Sequence, residues 1–180
     1  MWTVLSVKDL FRSVMQNYYL WMEKKRSEFA VGVIMPKSFN RTAGDVWETP
    51  PDTFEFACDY FHIYPRLDVA STDQNKLCEF HFTEKEDGLS QKWFYDSWCN
   101  PPYSHASKWI EKAFRENKEN NINIIALLNV TTETYAWQNF ILHGMAEIYF
   151  IFGRLSFFQN GVIAKNSSQH PSALVCWRKK

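Results

Sequence analysis

The chain of 180 residues has the length of one domain, and 46% of its residues are hydrophobic, which is typical of a globular protein and excludes a disordered one. Its formal net charge of +0 excludes a uniformly basic or acidic protein. The charge is uneven, because residues 1–44 carry seven Lys or Arg and three Asp or Glu. From charge alone, we interpret this segment as a helix with a solvated charged face and not as a phosphate-binding arm.

The elements predicted in chain order are a helix at 7–30, a loop at 35–46, a helix at 53–61 capped by Asp52, a strand at 63–69, a loop with a short helix to about residue 80, a strand at 93–99, a helix at 105–118, a strand at 122–130, a loop and helix at 131–143, and a strand at 174–177. The run at 122–130 is almost continuously apolar, as in a strand buried on both faces. We therefore expect a helical extension at 1–44 and a main domain at 45–180.

Strands that alternate with helices predict an α/β fold with a mostly parallel sheet. Two short segments, 148–152 and 155–158, flank Gly153-Arg154 and predict a terminal antiparallel hairpin at one edge. Ligands of such sheets bind beyond the carboxyl ends of the strands.

The four cysteines are widely spaced and form no Cys-x-x-Cys pair, so that no metal site is expected. We interpret them as reduced residues of an intracellular protein. No stretch reaches the roughly 20 apolar residues that cross a bilayer, and the first residues lack the apolar core of a secretory signal. The expectation is a soluble, cytoplasmic protein without a membrane or metal partner.

The tetrapeptide Asn100-Pro101-Pro102-Tyr103 follows the predicted strand at 93–99 and precedes a helix. A turn of this kind suits methylation of an amino group attached to a planar π system, whose lone pair is delocalised. The Asn100 amide oxygen and the Pro101 carbonyl can each accept one amino hydrogen, while the two prolines fix the turn. Tyr103 offers a ring on which a flipped-out base can stack.

Further segments follow the same order as in a known family: Trp47-x-Thr49-Pro50-Pro51, Leu67 to Ser71 (LDVAS), Asp87-Gly88-Leu89, Trp93, Trp98 to Tyr103 (WCNPPY) and Gly153-Arg154-Leu155-x-Phe157. Together they resemble the phage-type, Dam-like DNA N6-adenine methyltransferases over about residues 45–177. The resemblance implies a Rossmann-like methyltransferase fold, S-adenosyl-L-methionine as methyl donor, and double-stranded DNA as substrate.

The resemblance also implies roles for individual residues. Asn100, Pro101, Pro102 and Tyr103 would be catalytic. The residues expected to bind the cofactor are Trp47, Thr49, Pro50, Asp68, Ala70 and Asp87, with Asp68 meeting the methionine ammonium. Arg154 and Lys165 are candidates for DNA contact, together with the segment 131–143.

Two departures accompany the resemblance. The turn after Asp68 contains no glycine, whereas methyltransferase turns are usually rich in glycine. No clear acidic residue ends a second strand to hold the ribose, and Asp73 and Glu79 are weak candidates.

Three alternatives stay open from the residues. The same tetrapeptide suits methylation of RNA bases or of protein glutamine, and a binding module without catalysis would also retain parts of the pattern. Residues 1–44 could mediate a homodimer instead of binding DNA.

Overall fold

The computed structural model describes residues 47–159, 161–164, 168 and 170–180. The expected extension at 1–44 and Lys165 lie outside this part of the chain. The described helices and strands are α1 (Pro51–Phe61), β1 (Leu67–Asp68), β2 (Phe80–His81), β3 (Ser97–Cys99), a 3₁₀ helix (Tyr103–His105), α2 (Ala106–Asn120), β4 (Ile124–Asn129), a π-helix (Trp137–Leu142), β5 (Glu147–Phe150), β6 (Phe158–Gln159), β7 (Val162–Ile163) and β8 (Ser172–Trp177).

Six of these strands form one mostly parallel sheet in the order β2-β1-β3-β4-β8-β5. The pairs β2–β1, β1–β3 and β3–β4 are parallel, whereas β8 is antiparallel to both β4 and β5. A mixed α/β sheet with antiparallel pairing at one end is therefore confirmed. β6 and β7 form a separate two-stranded sheet.

Apolar side chains fill both faces of the large sheet. On the face that packs against α1, which we call the α1 face, the core contains Ala57 and Phe61 of the helix and Trp98, Ile125 and Leu174 of the sheet. The opposite face, called the α2 face, packs against Trp109 and other residues of α2 and against the π-helix. Because both faces of the sheet are covered, the sequences of the central strands are continuous apolar runs and do not alternate between apolar and polar residues.

The hairpin predicted around Gly153-Arg154 is wrong. β5 pairs with β8, and Phe158–Gln159 pairs with Val162–Ile163 in the small sheet. All six residues of β8 are buried, so this strand needs a neighbour on each side, and β5 supplies the second one. The antiparallel edge is thus built by strands that are distant in sequence.

Other predictions of local structure were partly wrong. The strands predicted at 63–69 and 93–99 shrink to Leu67–Asp68 and Ser97–Cys99, and β2 takes the place of the end of a predicted helix. Asp52 does not cap α1: the helix starts with Pro51, has no side-chain cap, and carries Asp52 in its first turn. Proline suits that first position, and a carboxylate there favours the helix dipole.

Gly88 fixes the turn that covers the end of β1. A Cβ atom at this position would lie 2.1 Å from the Val69 carbonyl oxygen and 3.0 Å from the Trp109 ring. The carbonyl oxygen of Gly88 also accepts a hydrogen bond of 2.9 Å from Trp93 Nε1. Only glycine therefore allows this turn to approach the backbone after β1 so closely.

No helix of the described residues is long and apolar enough to cross a membrane. All four cysteines are free thiols, and Cys58, Cys99 and Cys176 are buried.

We predict that Gly88→Ala destabilises the protein by about 3 kcal/mol, because either the turn or β1 must move to admit the methyl group. Gly153→Ala is the matched control: it has a φ of +78° and nothing within 4 Å of its Cβ position, so we expect a loss of about 1 kcal/mol from backbone strain alone. Chemical denaturation measures both values. Equal losses of stability in the two variants would contradict the close contact of Gly88 with the backbone after β1.

Candidate active site

The candidate site lies at the edge of the sheet where the order of the strands reverses. The chain passes from β1 to β2 on one side and then to β3 on the other side of β1. Ligands of open α/β sheets bind beyond the carboxyl ends of the strands at such a switch point. Asp68 and Trp98 are paired in register, and Val69 N donates to Trp98 O at 3.0 Å. The loops after β1 and β3 therefore leave the sheet side by side.

Asn100 starts the loop after β3 and is only 9% exposed. Its Nδ2 donates a hydrogen bond of 2.7 Å to the carbonyl oxygen of Trp47. Its Oδ1 is buried and has no hydrogen-bond partner among the described residues. Such an acceptor costs about 1–3 kcal/mol when left unsatisfied. The amide is thus held through its nitrogen, and its oxygen is left as a buried acceptor without a partner among the described residues.

Aromatic contacts join three of the motif segments. The ring centroids of Trp47 and Phe157 are 5.8 Å apart. Tyr103 meets Phe157 edge-on, with centroids 5.9 Å apart and an angle of 68° between the rings. Since Phe157 is buried, it serves as the common support of the other two rings. The structure therefore brings the segments around residues 47, 100 and 157 to one place.

The segment before α1 is anchored on the same side. Glu48 and Phe158 exchange two backbone hydrogen bonds of 3.0 Å each. Thr49 and Pro50 follow and are buried. These contacts hold the Trp47 carbonyl where Asn100 meets it.

Asp68 is buried at the end of β1, with 3% of its surface exposed. Its Oδ2 accepts a hydrogen bond of 3.1 Å from Leu77 N, and its Oδ1 accepts one of 3.4 Å from Ala70 N. Burial raises the pKa of Asp68 from 3.8 to about 6, and the two backbone hydrogen bonds oppose that rise. The carboxylate therefore closes the loop at 69–77, and its desolvated charge suits a cation.

Asp87 is exposed and has a left-handed backbone conformation with a φ of 55°. Its Oδ1 accepts a hydrogen bond of 3.2 Å from Leu89 N. The described contacts of this carboxylate lie within its own turn, which Gly88 packs against the end of β1. A role of Asp87 toward the cofactor stays a prediction.

Arg154 is exposed, and its Nη1 donates to the carbonyl oxygen of Ser168 at 3.5 Å. Its contact with DNA stays a prediction, as does that of Lys165. Within the described ranges, no group of three or more His, Cys, Asp or Glu could hold a metal ion.

Several polar groups near this edge escaped the sequence reasoning. The Oγ of Ser71 and of Ser172 and the Oδ1 of Asn129 are buried without a hydrogen-bond partner among the described residues. Asn129 is the last residue of β4, within the apolar run at 122–130. A polar residue near the end of such a run was the signal that could have found it. Ser172 carries no such signal, since its position depends on how β8 pairs.

The position of the short strand β2 bears on which acidic residue could hold the ribose of the cofactor. Glu79 precedes β2 and pairs with Arg66 at 2.8 Å, whereas Asp73 meets His81 Nε2 at 2.9 Å. Glu84 comes three residues after β2 and is exposed. The sequence pattern does not predict β2, and so it gives no indication that Glu84 follows a strand.

Comparison with known proteins assigns the class of protein. The family of DNA N-6-adenine-methyltransferases (Dam) matches residues 37–180. A DNA N-6-adenine-methyltransferase of Haemophilus phage HP1 (strain HP1c1) is 28% identical over 139 residues, which cover 76% of this chain and 80% of that protein. One from Escherichia phage T1 is 31% identical over 109 residues, which cover 59% of this chain but only 44% of the phage T1 protein.

Since the family match spans most of the chain, this protein belongs to the Dam family of DNA N-6-adenine-methyltransferases. The resemblance derived from the motif segments is confirmed.

We predict that Asp68 makes the protein less stable as the pH rises from about 4 to 6. In this range the unfolded carboxyl loses its proton while the folded one keeps it, so rising pH favours unfolding. Relative to Asp68→Asn, the wild-type free energy of unfolding should fall by about 3 kcal/mol across this window. Urea titrations at several pH values measure this difference. If the stabilities of wild type and Asp68→Asn changed in parallel with pH, the raised pKa of the buried Asp68 carboxyl would be contradicted.

Proposed function

We propose that this protein transfers a methyl group from S-adenosyl-L-methionine to the exocyclic N6 of adenine in double-stranded DNA. The observation that carries the proposal is the Asn100 amide, held through Nδ2 by the Trp47 carbonyl and presenting an unsatisfied, buried Oδ1. It lies in the Asn-Pro-Pro-Tyr turn at the switch point of the sheet, as expected of a Rossmann-like methyltransferase domain.

The chemistry requires an amino group to become a nucleophile. Its lone pair is delocalised into the purine, and hydrogen bonds from its two N–H groups to Asn100 Oδ1 and to the Pro101 carbonyl concentrate electron density on N6. With S-adenosyl-L-methionine held by the residues beside β1, its methyl carbon would form a bond to N6 as its bond to sulfur breaks. The neutral thioether would leave, and one amino proton would pass to water. Fixed dipoles and alignment supply the acceleration, so no strong base is needed.

The residues beside β1 fit S-adenosyl-L-methionine, which supplies a methyl group activated by a sulfonium charge. Asp68 offers a desolvated carboxylate suited to the methionine ammonium. Ser71 Oγ is a second buried polar atom without a partner in the described structure, in the loop that follows β1. We assign Trp47, Thr49, Pro50, Ala70 and Asp87 to the surroundings of the cofactor.

Tyr103 would hold the extruded adenine by stacking. Its ring is half-buried and supported edge-on by Phe157, so one position of the ring is favoured before the base arrives. Extrusion costs a few kcal/mol, which stacking and hydrogen bonds to the base offset.

DNA contact is assigned to Arg154, Lys165 and the segment 131–143. For residues 1–44 we propose one of two roles, either additional phosphate contacts or a homodimer interface. Removal of this extension, followed by mass measurement and DNA titration, distinguishes the two roles.

We predict that Asn100→Ala abolishes transfer of labelled methyl to unmethylated DNA but leaves affinity for S-adenosyl-L-methionine within about threefold, because a transition-state contact is lost and not a cofactor contact. The modified base is identified by mass after nuclease digestion.

Asn123→Ala is the matched control for loss of a buried asparagine. Asn123 is 7% exposed and bonds to Asp96 at the other end of the sheet, so this variant should lose stability but keep turnover. Full activity of Asn100→Ala would refute the catalytic role of Asn100. If the wild type methylated RNA or protein glutamine instead of DNA, the proposed DNA substrate would be wrong.

We predict that Tyr103→Ala lowers kcat/KM for DNA by about 10-fold to 100-fold, the cost of one lost base–aromatic stack. Tyr103→Phe keeps the ring and should retain most of the activity. Steady-state kinetics with DNA as the varied substrate separates the variants, and stacking is excluded if alanine and phenylalanine behave alike.

A further inference from the structure

Two polar atoms lie buried where β4 ends and β8 begins. Ser172 is 1% exposed, and its Oγ has no hydrogen-bond partner in the described part of the chain. The same holds for Oδ1 of Asn129, its register partner on β4. Side chains of such a cross-strand pair lie close together, yet these two oxygens do not bond to each other. Buried polar atoms without partners are uncommon in native structures, and each one calls for an explanation.

The two side chains share the face of the sheet that carries Asn100. Ile125 and Leu127 of β4 and Leu174 of β8 belong to the α1 face, as does Trp98 of β3. Because side chains alternate along a strand, Asn129, Ser172 and Asn100 continue these rows toward the carboxyl edge.

The position of the pair separates it from the cofactor side of the crevice. β1, with Asp68, lies on one side of β3, whereas β4 and β8 lie on the other. Cys99 is in register with Ala126, so Asn129 stands two residues farther along than Asn100 and forms a side wall beyond the end of β3. From strand spacing and rise, Ser172 lies about 12 Å from Asn100 between Cα atoms.

We propose that Ser172 is a positioning residue of the target-base pocket: its hydroxyl donates a hydrogen bond to N1 or N7, the ring nitrogens that flank the amino group of the adenine, within a polar wall that includes Asn129. This inference rests on the proposed function, because it takes adenine as the base held at Asn100.

The chemistry of the three groups matches one edge of adenine. The amino group is a donor and meets Asn100 Oδ1, an acceptor. The ring nitrogens on either side, N1 and N7, have only a lone pair and need a donor, which the Ser172 hydroxyl supplies. Two side chains, two hydrogen bonds of about 2.9 Å and the edge of one base span the distance of about 12 Å.

The test measures methyl transfer by wild type and Ser172→Ala to DNA that contains adenine, 1-deazaadenine or 7-deazaadenine at the target position. We expect Ser172→Ala to lower kcat/KM for adenine by about 10-fold to 100-fold. One of the two deaza bases should lower wild-type activity by a similar factor and lower that of Ser172→Ala no further. That base identifies the ring nitrogen, since coupling appears only when both partners of one hydrogen bond are removed.

Thermal unfolding distinguishes a positioning role of Ser172 from a purely structural one, because loss of a structural serine would lower the Tm. Removing an unsatisfied buried hydroxyl should leave the Tm unchanged or raise it, so activity falls while stability does not. Ser71→Ala is the matched control, because it removes another buried, unsatisfied hydroxyl from the loop after β1; its effect should add to that of either deaza base.

The outcomes separate this inference from the proposed function. Independent effects of Ser172→Ala and of both deaza bases, or unchanged activity in Ser172→Ala, would overturn the role of Ser172 while wild-type transfer to adenine keeps the proposed function. A wild type that methylates no adenine in any DNA would overturn both.

Discussion

The hydrogen bond from Asn100 Nδ2 to the Trp47 carbonyl is the contact on which the rest of the site depends. It joins residues 53 positions apart, and it decides which end of the amide is left without a partner among the described residues. The Trp47 backbone can act in this way only because Glu48 is tied to Phe158, whose neighbour Phe157 supports both the Trp47 and Tyr103 rings. One amide orientation therefore links three segments of the chain.

The turn after β1 shows how a site without the usual glycines is built. Close backbone approach normally requires glycine in that turn, but here it reads Asp68-Val69-Ala70-Ser71. Gly88, from another segment, packs against the Val69 carbonyl, where no Cβ atom would fit. Asp68 closes the loop from inside by accepting hydrogen bonds from Ala70 and Leu77. The loop after β1 is thus held by Gly88 from one side and by the Asp68 carboxylate from the other.

Local patterns in the sequence predicted those parts of the fold that depend on local physics. The apolar run that became β4 and the amphipathic pattern of α2 were recognised because burial on two faces or on one face leaves a periodic signature. β1 and β2 have two residues each, too few for any period, and the pairing of β8 with β5 depends on contacts distant in sequence. The motif segments were found, but the contact of Asn100 with Trp47 and the hydroxyl of Ser172 depend on tertiary register.

Buried polar atoms without hydrogen-bond partners mark the places where the fold is less stable than it would be with these groups bonded. Among the described residues, Asn100 and Ser172 carry such atoms on the α1 face, at strand ends along the carboxyl edge of the sheet. The amino-terminal edge is different: the buried Asn117 donates through Nδ2 to the carbonyl oxygens of Ile122 and Trp177. The buried Asn123 donates to Asp96 and accepts a hydrogen bond from Lys179 N. The chain can therefore satisfy buried amides when they serve only the fold. Unsatisfied groups at the carboxyl edge are what a site needs if an incoming base is to complete its hydrogen bonds.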